Sequence, residues 1–266
     1  MKWLKNIEEL TEHIFSNKER ASKRHLNSSG AEKPREVFDR VCQQIGNETE
    51  AFGFKYFPSQ HKLKLESTDK KFSLSLRFSS NRDNVAGQYI ELSGAFSIES
   101  KELKKFSNKY PLLNYSSDLM LGRDIGVLID GGKGNLIWNL ADEQDCKKSI
   151  SIITKTARGS LAQLFEDIQN TKLIVDQIEK DNFELNNPMI TVQYLLMHDH
   201  KNVAEKYLSK FLRRKPEKIL ADYHKAVEQF DSEGIPEQFI HGMGYGHEIA
   251  LLEKEYGLEL NVPNKR

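Results

Sequence analysis

Cysteine is scarce in this 266-residue chain: Cys42 and Cys146 are the only two, far apart and outside any C-x-x-C spacing. That excludes a disulfide framework and a zinc knuckle, and it suits a reducing compartment. Neither sign of charge is in surplus, with 39 Lys and Arg against 39 Asp and Glu and a sequence pI near 7.1. A dedicated nucleic-acid binder carries excess Lys and Arg, and a disordered acidic tail leans the other way, so general nucleic-acid binding is not expected. No stretch approaches the roughly 18 apolar residues of a transmembrane helix. Charges interrupt Met1–Leu10 every few positions, so a secretory leader is not expected either. The expectation is a cytoplasmic protein without a membrane partner. The phosphate-binding pattern G-x-x-x-x-G-K-[ST], the zinc motif H-E-x-x-H and the nucleophile elbow G-x-S-x-G are missing. No catalytic residue is nominated and no cofactor is expected.

What is present is strong periodicity. Hydrophobic residues make up 38% and charged residues 29% of the chain, and a chain this long buries about 70–75% of its unfolded surface. Trp3, Ile7, Leu10 and Ile14 fall on one helical face, and residues 17–35 hold six basic and two acidic side chains with little that is apolar. Residues 1–34 therefore read as an amphipathic helix and a basic linker. Pro34 suits a first helical turn, and Val37, Phe38, Val41, Cys42 and Ile45 make the stripe of a core-facing helix in which Cys42 is a packing residue. The period then changes to two. Leu63 and Leu65, then Phe72, Leu74, Leu76 and Phe78, then Ile90, Leu92, Phe96 and Ile98 alternate with polar residues, with Gly94 marking a possible bulge. Three such segments joined by turns predict an antiparallel meander.

Ser100 opens a short helix over 100–107. Ile125–Ile129 and Leu136–Leu140 flank Asp130-Gly-Gly-Lys-Gly-Asn and predict a hairpin. Ile150, Ile153, Ala157, Leu161, Leu164 and Ile168, spaced by three and four behind an Asp142 N-cap, predict one helix over 142–169. Helices over 188–198, 201–214, 216–230 and about 246–256 follow, joined by short connections. The fold class is thus expected to be α+β, an antiparallel meander sheet packed against helices and followed by an all-helical C-terminal part. The segments are 1–34, 35–181 (the α+β domain) and 182–266 (helical hairpins).

Charge is segregated although it sums to zero. Residues 160–187 hold six acidic and two basic side chains, and residues 201–218 hold seven basic and two acidic. Such blocks are either wet helix faces or a means of steering a charged protein partner.

Histidine and glycine supply the candidate sites. His198 and His200 flank Asp199, and His241 and His247 flank the run Gly-Met-Gly-Tyr-Gly. His198, His200, His241 and His247 would form a metal or proton-transfer site if the two pairs converged, which would make the chain a hydrolase. The alternative is that they are loop residues at turns between helices. The run from His241 to His247 is a packed turn, an anion-binding nest, or a partner contact carried by His241, Met243, Tyr245 and His247.

From about Val37 to Phe165, a helix leads into Gly53-Phe-Lys-Tyr-Phe, then a meander containing Phe72-Ser-Leu-Ser-Leu-Arg-Phe and Tyr89-Ile-Glu-Leu, then a closing helix. This order resembles uncharacterised bacterial domains that open with a helix and a "GFK" strand and occur among the immunity proteins of polymorphic-toxin and contact-dependent growth inhibition systems. The resemblance covers about half the chain. It implies a binding protein whose partner is a cognate toxin, neutralised by covering its active surface. A regulatory scaffold built on the helical hairpins is a third reading.

Overall fold

A computed structural model describes residues 32–109, 117–129, 134–235 and 244–262. The fold is α+β. By its internal contacts the chain divides into one unit containing the residues up to Ile98 together with Gly122–Gln169, and a second containing Glu99–Leu121 and everything from Asn170 onward. No helix among the described residues is long and apolar enough to cross a membrane.

The first unit is organised around helix α1 (Pro34–Glu50), with Pro34 in its first turn and Val37, Phe38, Val41, Cys42 and Ile45 all buried. One position on its inner face must be glycine. A Cβ on Gly46 would lie 2.7 Å from the Cβ of Tyr56, so α1 sits directly on strand β1 (Lys55–Phe57). Gly53, at φ +85°, reverses the chain between them. Strand β1 pairs antiparallel with β2 (Lys62–Glu66), placing Tyr56 opposite Leu63. Strand β2 pairs antiparallel with β3 (Phe72–Ser79), placing Leu63 opposite Leu76 and Leu65 opposite Leu74. The turn between them is tied by Asp69, which accepts from the Ser67 hydroxyl and the Lys71 amide. With β4 (Glu91–Ser100), β5 (Leu119–Asp124) and the two-residue β6 (Trp138–Asn139), the strand order is β1-β2-β3-β4-β5, and β6 pairs with the start of β4. The alternating residues Leu74, Leu76, Phe78, Ile90, Leu92, Phe96 and Ile98 are buried, as the period of two requires.

Two expectations fail in this unit. Ile125–Leu128 is a 3-10 turn rather than a hairpin strand, with the Asp124 carboxylate accepting from the Gly126 amide. Gly94 is not called for by a bulge: it lies inside β4, where an added Cβ would meet Ile125 at 3.2 Å. The apolar run 125–129 thus supplies a plug against a gap in the sheet, and a plug has no need of strand geometry. Of the glycine-rich turn only Gly134 and Asn135 fall among the described residues. The expected single helix over 142–169 is α3 (Glu143–Thr156), a π-helical turn (Ala157–Leu161) and α4 (Ala162–Gln169). Asp142 does cap α3, accepting from the Asp145 amide at 2.8 Å.

The second unit is mostly helical: α2 (Lys101–Ser107), α5 (Thr171–Glu179), α6 (Pro188–Met197), α7 (Lys201–Arg213), α8 (Glu217–Glu233) and α9 (Tyr245–Tyr256). Ser100 caps α2 by accepting from the Leu103 amide. Helix α6 is buried on nearly every side, and its polar Gln193 accepts through Oε1 from the Ser107 hydroxyl of α2 at 2.9 Å, while its buried Nε2 has no hydrogen-bond partner among the described residues.

The two charge blocks meet here. Lys206 reaches Glu179 at 3.3 Å and Lys210 reaches Asp181 at 2.7 Å. Arg214 also binds Asp181, and the Tyr207 hydroxyl donates to Glu184. The hydrogen bond from Arg214 holds the Asp181 carboxyl below the usual range. Three cations of the basic block thus pair with two carboxylates of the acidic block within the unit, which weakens the steering expectation.

The third glycine of the odd run is explained by packing. A Cβ on Gly246 would stand 2.6 Å from both the Ile219 carbonyl oxygen and the Tyr223 amide nitrogen of α8. Gly244 has nothing within 4 Å of an added Cβ.

Two predictions follow from these contacts. Gly246→Ala gains roughly 1 kcal/mol of helix propensity, but the backbone of α8 cannot rotate away, so the variant loses about 1–3 kcal/mol net in denaturant unfolding. Gly244→Ala meets no backbone and loses at most the N-cap preference of glycine over alanine, under about 1 kcal/mol. Asp181→Asn costs up to about 1 kcal/mol near neutrality. Because the folded carboxyl titrates below its unfolded value, this deficit is constant above about pH 5 and closes as pH falls below about 4, measured as unfolding midpoints across pH.

Candidate functional site

The first unit carries an open groove of about 670 Å³ between α1 and α3. Its geometry follows from how the two helices lie. The Thr154 hydroxyl donates to Glu48 at 3.2 Å, and the Arg158 guanidinium lies over the Phe52 ring, 5.3 Å from its centre. Both pairs are separated by 106 positions, so the helices run side by side in the same direction. The floor is apolar and comes from buried Val37, Ile90, Leu140 and Ile150. The walls are polar and carry both signs of charge.

At the end nearest the start of the helices, the charges are paired. Arg40 makes two hydrogen bonds to Glu32, at 2.8 and 3.4 Å, and Lys147 binds Glu143 at 2.6 Å. Each bond holds its carboxyl below the usual carboxylate range. The other end differs. Glu48 accepts from Thr154 and from the Gln44 amide at 3.0 Å but forms no ion pair among the described residues. Arg158 is exposed, sits in the π-helical turn and rests on Phe52, which is itself 49% exposed. Such turns recur at functional sites because the extra residue redirects a side chain. This end therefore presents a cation and an anion, neither in an ion pair among the described residues, above apolar surface.

A second polar cluster lies on an exposed edge of α1. His61 Nε2 is 2.8 Å from Asp39 Oδ1 and 2.9 Å from an Arg35 nitrogen, and Arg35 also donates to Asp39 at 3.0 Å. His61 takes φ 45°, and its carbonyl accepts from the Phe78 amide. The contact of one ring nitrogen with both charged groups makes this a clamp fastening the turn before β2 to α1. Cys42 lies next to it, fully buried, and burial pushes its thiol up to about 12. It is a packing residue, and at neutral pH it carries no thiolate for attack.

The residues singled out in the sequence fall in the second unit. Tyr245 opens α9, 46% exposed, with its ring 6.4 Å from that of Phe211, over which Lys215 lies at 4.3 Å. His247 is half-buried. His241 and Met243 lie outside the described residues. His198 and His200 flank the α6–α7 turn, where Asp199 takes φ 62° and the His198 ring packs edge-on to Tyr194 at 4.7 Å. Among the described residues no group of three or more His, Cys, Asp or Glu side chains is placed to hold a metal ion. The groove went unnoticed in the sequence, since Arg158 and Glu48 stand there as ordinary charged residues of helical stretches.

Thiol chemistry tests this placement. Cys42 should resist a disulfide reagent at pH 8 until the protein is unfolded, whereas half-buried Cys146 should react in the native state, slowed because burial raises its thiol too. Fast native labelling of both would contradict the packing described for α1. No family model matches the chain, and no curated protein or solved structure shows significant similarity to it.

Proposed function

We propose that the chain is a binding protein of the immunity type, acting in the cytoplasm to neutralise a cognate bacterial toxin by covering its active surface. The observation that carries this reading is the groove: two parallel helices hold an exposed aromatic ring, Arg158 and Glu48 around an apolar floor, neither charge being in an ion pair among the described residues. Apolar centres with polar rims and arginine or aromatic anchors are the usual make-up of protein interfaces. The resemblance of residues 37–165 to toxin-locus domains supports the same reading. Tyr245 on Phe211 supplies a second contact of similar character on the other unit. The mechanism is steric occlusion, and it calls for a total buried area of about 1,600 Å².

Co-expression with the product of any toxin-like gene found beside the one encoding this chain is the test. Growth should be rescued and the two chains should co-purify. Phe52→Ala should weaken the complex about tenfold, the loss typical of an interface anchor, while leaving the melting temperature nearly unchanged. Failure of both rescue and co-purification removes the proposal.

A further inference from the structure

We infer that one edge of α7 is a binding site for an extended peptide with apolar residues at alternate positions, occupied in this chain by its own residues 258–262 as a displaceable strap. The site lies in the second unit and does not rest on the toxin reading above.

The strap begins where α9 ends. Gly257 takes φ 58°, and the Leu258 amide closes the helix on the Glu253 carbonyl at 2.8 Å. From Leu258 to Val262 the chain is in neither helix nor strand, and its exposure alternates. Leu258 is buried, Leu260 and Val262 are half-buried, and Glu259 and Asn261 are exposed. A period of two is that of extended chain lying on a surface. Beyond Leu258 its main chain bonds to no other main-chain group among the described residues. Side chains of α7 hold it instead. Glu205 accepts from the Glu259 amide at 3.0 Å, Ser209 accepts from the Asn261 amide at 3.0 Å, and Arg213 donates to the Asn261 carbonyl at 2.6 Å.

The spacing explains the fit. Glu205, Ser209 and Arg213 are four apart and share one edge of the helix. Four helical residues rise about 6.0 Å, and two extended residues span about 6.6 Å. Alternate amides of a segment running parallel to α7 therefore meet successive turns of the helix. The next amide in that series would belong to Pro263, which has none.

This geometry defines the ligand. The three bonds go to N–H and C=O groups that every residue except proline carries, so they do not read the side chains of Glu259 and Asn261. Selection rests on the apolar seats of Leu258, Leu260 and Val262. An extended segment with the same alternation can take the place of the strap. Side-chain hydrogen bonds at the surface and one buried leucine are a weak hold, so the strap opens locally while the helices stay folded.

Two measurements on the full chain test this. In wild type, hydrogen exchange should release the Glu259 and Asn261 amides at least about a hundredfold faster than an amide inside α7 such as that of Leu208. The double variant Leu258→Ser/Leu260→Ser frees the site. A fluorescent peptide of residues 257–266 should bind it, and should bind wild type at least about tenfold more weakly because the strap competes there. Alanine in the peptide at the positions of Glu259 and Asn261 should leave binding unchanged, whereas N-methylation of the same two amides should weaken it at least about tenfold. The inference is overturned if the two amides exchange no faster than that of Leu208, or if a folded double variant binds the peptide no better than wild type does. Equal binding of the N-methylated peptide, or loss of binding with alanine, overturns it as well. Should the double variant fail to fold, exchange in wild type decides alone. No toxin enters either measurement, so this inference and the co-expression result can fail separately.

Discussion

The arrangement of the first unit depends on the seat of α1. Gly46 lets the helix press directly onto Tyr56, and the Arg35–Asp39–His61 clamp fastens the next turn of chain to the same helix. With that seat fixed, the buried stripe from Val37 to Ile45 faces the sheet and the outer edge faces α3. The groove is the furrow this leaves, and its walls are regular helix, the most rigid material a binding site can use. Any side chain larger than hydrogen at position 46 would lift α1 and alter both the core and the furrow.

Much of this was legible in the sequence, and the limits were physical. The stripes of α1 and of β2 to β4 come from faces that alternate between core and water, so their periods survive in the chain. The cap at Asp142 is local chemistry and was read correctly. The failures involve partners distant in sequence. Ile125 fills the space left by Gly94, and no period records such a plug. The joining of residues 99–121 with those beyond 170 is likewise invisible to local patterning. Arg158 and Glu48 matter because of a neighbour 106 positions away. The π-helical turn kept the apolar spacing of a plain helix and so left no trace.

Charge shows the same dependence on context. The acidic and basic blocks look like an interaction signal when counted along the chain. In space Glu179, Asp181 and Glu184 lie against Lys206, Lys210, Arg214 and Tyr207, so part of each block ties α7 to α5 and the segment after it. Exposed pairs of this kind contribute little each and are screened by salt. Arg158 and Glu48, at the end of the α1–α3 groove, are in no ion pair among the described residues, and no count along the chain would single them out.

The contact of Gly246 with the backbone of α8 has a consequence for the residue beside it. Tyr245 is anchored one position from the tightest helix crossing in its unit, so its Cα has almost no freedom to drift. Only its two side-chain torsions remain to be fixed on contact with another molecule, and its ring already leans on Phe211. An exposed tyrosine mounted this way is preorganised: it offers a large contact area at small entropic cost.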